Sequence, residues 1–161
     1  MKILGVDPGL LNLGYTLIEV KKNKFSILKA NTLKSKSKDP LQKRLYHLYA
    51  NFMYILELYK PDIIALEEPI AKANPFSTAK LFQVQAIVLL VAEEIGVPIK
   101  IYHPSFWKSY LCGNGRATKK DVLYILKNVL TVDNFKIKIQ DEHTCDALAL
   151  AIVCALEMNL Y

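Results

Sequence analysis

The hydrophobic pattern opens with a short, nearly continuous apolar run, "KILGVD" at residues 2–7, which ends in a carboxylate followed by Pro8-Gly9. A run of this length predicts a strand buried on both faces. "LGYTLIEV" (13–20) alternates and is rich in β-formers, and "FSILKANTL" (25–33) follows a "KKNK" turn. Together the three segments predict an antiparallel meander. After the polar "KSKSKDP" (34–40), Asp39 is placed to cap a helix that has Pro40 at its first position and runs to about Tyr59. "PDIIALEEP" (61–69) predicts a fourth strand ending in two acids. "STAKLFQVQAIVLLVAEEIG" (77–96) predicts a helix stopped at Gly96, and "VPIKIYHP" (97–104) a fifth strand. A short helix over "PSFWKSYLC" (104–112), a Gly-containing loop with Thr118 as a cap for another helix, and a last helix over "DEHTCDALALAIVCALEMN" (141–159) complete the pattern.

Successive antiparallel strands followed by βαβ units predict an α/β fold. The expected sheet has five strands, mixed, with three antiparallel and two parallel strands and helices on both faces. The order reads as one domain over residues 1–161. Right-handed crossovers put the fourth strand beside the first and parallel to it.

Composition narrows the classes. The 161 residues are 52% hydrophobic and 22% charged, enough for a full core. The net charge of +6 suits a polyanionic partner, although solvated lysines also serve solubility. The three cysteines (Cys112, Cys145, Cys154) are odd in number and lack CxxC spacing, which argues against zinc or a disulfide framework and for a reducing cytoplasm. The first apolar run is interrupted too soon for a signal peptide, and "AIVLLVA" (86–92) is too short to span a bilayer, so no membrane association is expected.

The candidate chemistry lies in acids at strand ends. If the first and fourth strands are parallel neighbours, Asp7 and the Glu67-Glu68 pair emerge at one sheet edge, separated by one strand spacing of about 5 Å. Alternation sends Glu67 and Glu68 to opposite sides and does not choose between them. His143 and Asp146, three residues apart, share one face of the last helix. Blander readings exist for each: an Asx turn at Asp7, a solvated strand end, acids complementing a helix dipole. Asp146 fits them least, because it sits among Cys145, Ala147, Leu148 and Leu150 and needs a partner. Clustered carboxylates raise one another's pKa, and a divalent cation removes that conflict. Oxygen-rich donors with one imidazole favour Mg²⁺ or Mn²⁺ over Zn²⁺.

"GVDPGLLNLGY", "ALEEPIAKANPFSTAKLFQVQA", "WKSYLCGNGRATKKDV" and "DEHTCDALALAIVCA" together resemble the RuvC family of Holliday junction resolvases, within the RNase H-like superfamily. The four motifs occur in the family's order over nearly the whole chain. The resemblance implies an RNase H-like fold and a homodimeric endonuclease that places paired nicks in four-way DNA junctions during recombination and repair. It implies two Mg²⁺ ions per site, with Mn²⁺ able to substitute, and assigns catalytic and metal-binding roles to Asp7, Glu67, His143 and Asp146. It thereby selects Glu67 over Glu68. Lys108 and Lys119 fall on its basic positions, and Arg116 and Lys120 lie in the same segment as DNA-binding candidates. Ile70 stands where many members carry an aromatic junction wedge, with Phe76 nearby, and Leu13 replaces a usual Thr. The helix over residues 77–94, apolar on several sides, is the expected dimer contact. The implied compartment is the cytoplasm, bacterial or that of a host cell if the source is viral. Whether a branch-migration complex is a partner stays open. Two other readings stand beside this one: a broader fork and flap nuclease, and a non-catalytic junction-binding module.

Overall fold

The computed structural model describes residues 1–21, 24–71, 73–128, 130–139 and 141–160. Its centre is one mixed sheet. β1 (Lys2–Asp7), β2 (Asn12–Lys21) and β3 (Lys24–Lys34) form the expected meander. β4 (Ile63–Glu67) runs parallel to β1, and β5 (Ile99–Tyr102) parallel to β4 at the sheet edge. All five expected strands are present. A sixth, β6 (Val132–Asp133), pairs in parallel with β3 and gives the order β5-β4-β1-β2-β3-β6. Two residues carry too short a pattern to announce a strand. The two central residues of the "KKNK" turn lie outside the described residues.

Both faces are covered. α1 (Leu41–Tyr59) and α2 (Pro75–Ile95) pack on one, burying Leu48, Phe52, Val84 and Val88 against Leu4, Val6, Leu13, Ile64 and Leu66. Leu13, the departure from the family pattern, is fully buried in this layer. The other face carries α6 (Glu142–Glu157), with α3 (Pro104–Cys112), α4 (Lys119–Asn128) and the short α5 (Phe135–Lys138) around it. Ile3, Ile18, Val20, Ile63 and Ala65 meet the almost wholly buried α6 there.

Local capping follows the sequence with one exception. Gly96 ends α2 at φ 79°, a left-handed conformation that glycine adopts without strain. Thr118 and Asp121 exchange hydrogen bonds at the start of α4. The expected cap of α1 by Asp39 is not formed. The N-cap is Pro40, which makes no side-chain hydrogen bond, and Asp39 instead pairs with Lys43 at 3.6 Å. The bilayer argument from "AIVLLVA" also needs correction. The run belongs to a 21-residue helix which, by length and composition alone, is long and apolar enough to cross a membrane. Only its Val84, Val88, Val91 and Ala92 stripe is buried, against α1 and the sheet.

α6 is seated directly on β1 and β2. A Cβ on Gly5 would overlap the Ala147 carbonyl oxygen, and one on Gly14 would lie 2.6 Å from the His143 Cβ. The first turn of α6 is then fixed by side chains. Thr16 Oγ1 donates to the Thr144 carbonyl at 2.8 Å, and Thr32 Oγ1 donates to Asp141 Oδ2 at 2.8 Å. Asp141 closes a capping box with Thr144.

Gly5→Ala is expected to destabilise the protein by about 3 kcal/mol or more, because neither backbone can withdraw without unseating the helix. Urea unfolding measures this; a loss below about 1 kcal/mol would show that α6 can lift without consequence.

Candidate active site

Asp7 and Glu67 end neighbouring parallel strands whose register pairs Val6 with Leu66. Glu67 continues the face of Ile63 and Ala65, which α6 covers, whereas Glu68 continues that of Ile64 and Leu66. Asp7 likewise shares the α6 side with Ile3 and Gly5. His143 and Asp146, on the first turns of α6, face the two strand ends. The four donors expected from three distant segments therefore line one cleft of about 330 Å³, with Trp107, Lys108 and Ile70 also in its wall. Glu68 stands exposed at its edge.

Two hydrogen bonds hold the acids. His143 Nδ1 and Asp7 Oδ2 are 2.8 Å apart, and the Trp107 indole N–H donates to Glu67 Oε1 at 2.9 Å. Trp107 is fully buried, so Glu67 hangs from a rigid support. Burial, reinforced by the charge of Asp7, pushes the Glu67 carboxyl up to about 7. The same two causes push Asp146 up to about 6. His143 is raised as well, chiefly by its hydrogen bond to Asp7. The site thus concentrates more negative charge than its surroundings neutralise.

The family model for crossover junction endodeoxyribonuclease RuvC matches residues 3–154.

The chain belongs to the RuvC family.

A RuvC from Dehalococcoides mccartyi is 33% identical over 152 residues, covering 94% of this chain and 89% of the relative. One from a Sulfurovum species is 37% identical over 153 residues, covering 94% and 93%. Thermus thermophilus RuvC, solved in complex with a Holliday junction substrate, superposes with a TM-score of 0.88 at 28% identity, covering 99% of this chain and 96% of that one. The expected RNase H-like architecture is therefore that of the RuvC family, and the chain is an endonuclease of a Holliday junction resolvase family.

Membership in the RuvC family carries a requirement for a divalent metal. The donor set fits one chemically: three carboxylates and an imidazole, with excess negative charge and two protonation-prone acids. Among the described residues no three His, Cys, Asp or Glu side chains close into a ready-made cage. An open set of this kind suits a hard cation that keeps part of its water.

The basic candidates divide. Lys108 lies in the cleft wall with its ammonium 5.5 Å from the centre of the Trp107 ring. Lys119 pairs with Glu142, borders an adjoining hollow that Asp146 also lines, and is raised above the ordinary lysine value mainly by that partner. Arg116 and Lys120 are exposed on the same segment and do not line the cleft. Ile70 is 50% exposed at the cleft, and Phe76, on the first turn of α2, is 79% exposed. Sequence reasoning missed Trp107 and Gly14. Nothing in the local pattern around the lone Trp points to Glu67.

Two outcomes are expected. Trp107→Phe removes the donor that favours ionised Glu67 and should weaken divalent-metal binding by roughly 10-fold, read by metal titration; unchanged affinity would make the indole purely a packing group. The metal-free protein should also lose stability as pH rises. Glu67 moves from 4.5 to about 7 and Asp146 from 3.8 to about 6 on folding, so the folded state binds more protons across that window. His143, raised too, acts in the same direction. Melting temperature in chelator should fall between about pH 5 and about pH 7, and added Mg²⁺ should restore it most at the upper end. A metal-free melting temperature that climbs across this window would contradict the shifts.

Proposed function

We propose that this chain is a Holliday junction resolvase that works as a homodimer and places paired nicks in four-way DNA junctions. Asp7, Glu67, His143 and Asp146 hold two Mg²⁺ ions in each site. The observation that carries the reading is the meeting of these four side chains in one cleft, with Lys108 in its wall, in a chain of the RuvC family. The Thermus thermophilus relative bound to a Holliday junction supports the choice of substrate. Bound there, the metal pair, for which Mn²⁺ can substitute, supplies charge stabilisation for the attacking and leaving oxygens of a phosphodiester hydrolysis.

The chain's own residues supply the rest. His143 orients Asp7, and Trp107 orients Glu67, so that both carboxylates are preorganised before substrate arrives. Lys108 meets a non-bridging phosphate oxygen. Lys119 does the same by exchanging Glu142 for phosphate, and Arg116 and Lys120 contact the backbone further out. Ile70, exposed in the cleft wall, and Phe76, exposed on the first turn of α2, are the wedges that hold junction bases apart.

The exposed face of α2 supports the dimer. Phe82 (44%), Leu89 (37%) and Leu90 (65%) stay exposed on a helix whose opposite stripe is already buried. A second copy seated on this face covers them and gives two sites related by a two-fold axis, as paired nicking requires. On this reading the enzyme acts in the cytoplasm, and a branch-migration complex is the assembly beside which it works.

Mapping both nicks on synthetic four-way junctions, against forks and flaps, tests the reading. Asp7→Asn should keep junction binding in chelator while losing cleavage by on the order of 10³-fold; cleavage at the wild-type rate would overturn the site. Leu90→Lys, remote from the core, should shift the sedimenting species from dimer to monomer and abolish coordinated double nicking; a wild type that stays monomeric at micromolar concentration would sink the paired mechanism.

A further inference from the structure

A second concavity, of about 360 Å³, adjoins the catalytic cleft. It lies between the turn after β1, the loop before α1 and the first turns of α2. Gly9, Asn12, Leu81 and His143 line both hollows, so the two are continuous. Its charged members are Arg44 and Lys80; no Asp or Glu contributes to its lining. Among the described residues neither cation has a carboxylate partner, whereas Lys21, Lys43, Lys100 and Lys119 all do. Arg44 is also held in place. Its Nε donates to Ser35 Oγ at 3.1 Å, and Ser35 Oγ donates in turn to the Leu10 carbonyl. That leaves the terminal guanidinium N–H groups free to serve a ligand.

The remaining surface is hydroxyl, amide and apolar: Ser37, Ser77 and Asn12 over Leu10, Leu11 and Leu81. Two unpaired cations and neutral donors over an apolar floor match a sugar–phosphate backbone, with non-bridging oxygens on the cations and deoxyribose on the leucines. Continuity with the cleft across His143 identifies which backbone this is.

We infer that this groove is a phosphate subsite in which Arg44 and Lys80 hold the DNA strand next to the phosphodiester being cut. The inference rests on the nuclease reading above and extends it to residues outside the metal site. The two cations fix the strand so that the scissile phosphate stays over Asp7 and Glu67; they act as positioning residues.

Junction binding in chelator, measured against salt concentration, tests this for wild type, Lys80→Gln, Arg44→Gln and Arg44→Lys. Each Gln variant should bind roughly 3- to 10-fold more weakly and lower the slope of log affinity against log salt by about 0.7–0.9, the value of one lost phosphate contact. Arg44→Lys should retain the wild-type slope. Lys80 is exposed, so Lys80→Gln should melt with the wild type, separating lost contact from lost fold. Unchanged slopes in both Gln variants overturn the subsite. A wild type that binds junctions without cutting them overturns the nuclease reading while the slopes still decide the groove. A wild type that binds no DNA overturns both.

Discussion

Everything functional in this molecule depends on how closely α6 approaches the sheet. Gly5 and Gly14 present bare backbone where any side chain would collide with Ala147 or His143. The helix therefore lies on β1 and β2 backbone to backbone. Thr16, Thr32 and the Asp141–Thr144 capping box then fix where its first turn points. A helix standing off by even the width of a methyl group would carry His143 out of reach of Asp7. The geometry of the proposed site and the packing of the core are here the same contact, which is how donors from three segments separated by most of the chain come to one cleft.

The same closeness sets the electrostatics. Three acids are brought to one half-buried edge, where His143 hydrogen-bonds Asp7 and Lys108 stands in the cleft wall. The folded chain holds Glu67 and Asp146 above their ordinary values through burial and the Asp7 charge. The fold tolerates this cost because α6 and the strands are secured elsewhere by large apolar contacts. Stability is supplied by the core, and the sheet edge remains a place of unresolved charge that a divalent cation can relieve.

Much of this was legible in the sequence, and the illegible parts have physical reasons. Strands announced by continuous or alternating apolar runs appear where expected, as do helices bounded by Gly96 and Asp141. The two-residue β6 is too short for a pattern, and the start of α1 was read from Asp39 as a cap, which pairs with Lys43 instead. Asp146 was conspicuous because a carboxylate inside an apolar helix demands a partner. Glu67 was not separable from Glu68 by periodicity, since β4 is apolar on both faces; the family resemblance selected it, and the face that α6 covers puts Glu67 in the cleft with Asp7. Trp107 was invisible for a related reason, because an indole that packs and donates reads like one that only packs. That Arg44 and Lys80 have no carboxylate partner among the described residues is likewise a fact about where acids are not, and no local motif records it.

The position of α6 in the chain has a consequence for synthesis. Asp7 and Glu67 are made early, but His143 and Asp146, the other two donors of the proposed metal site, belong to the last of the helices. A growing chain emerges from the N-terminal end, and a domain folds as a unit. On the proposed site, the four donors come together only once α6 lies on the two glycines. A chain lacking that helix would present two carboxylates at a strand edge and neither of the other donors.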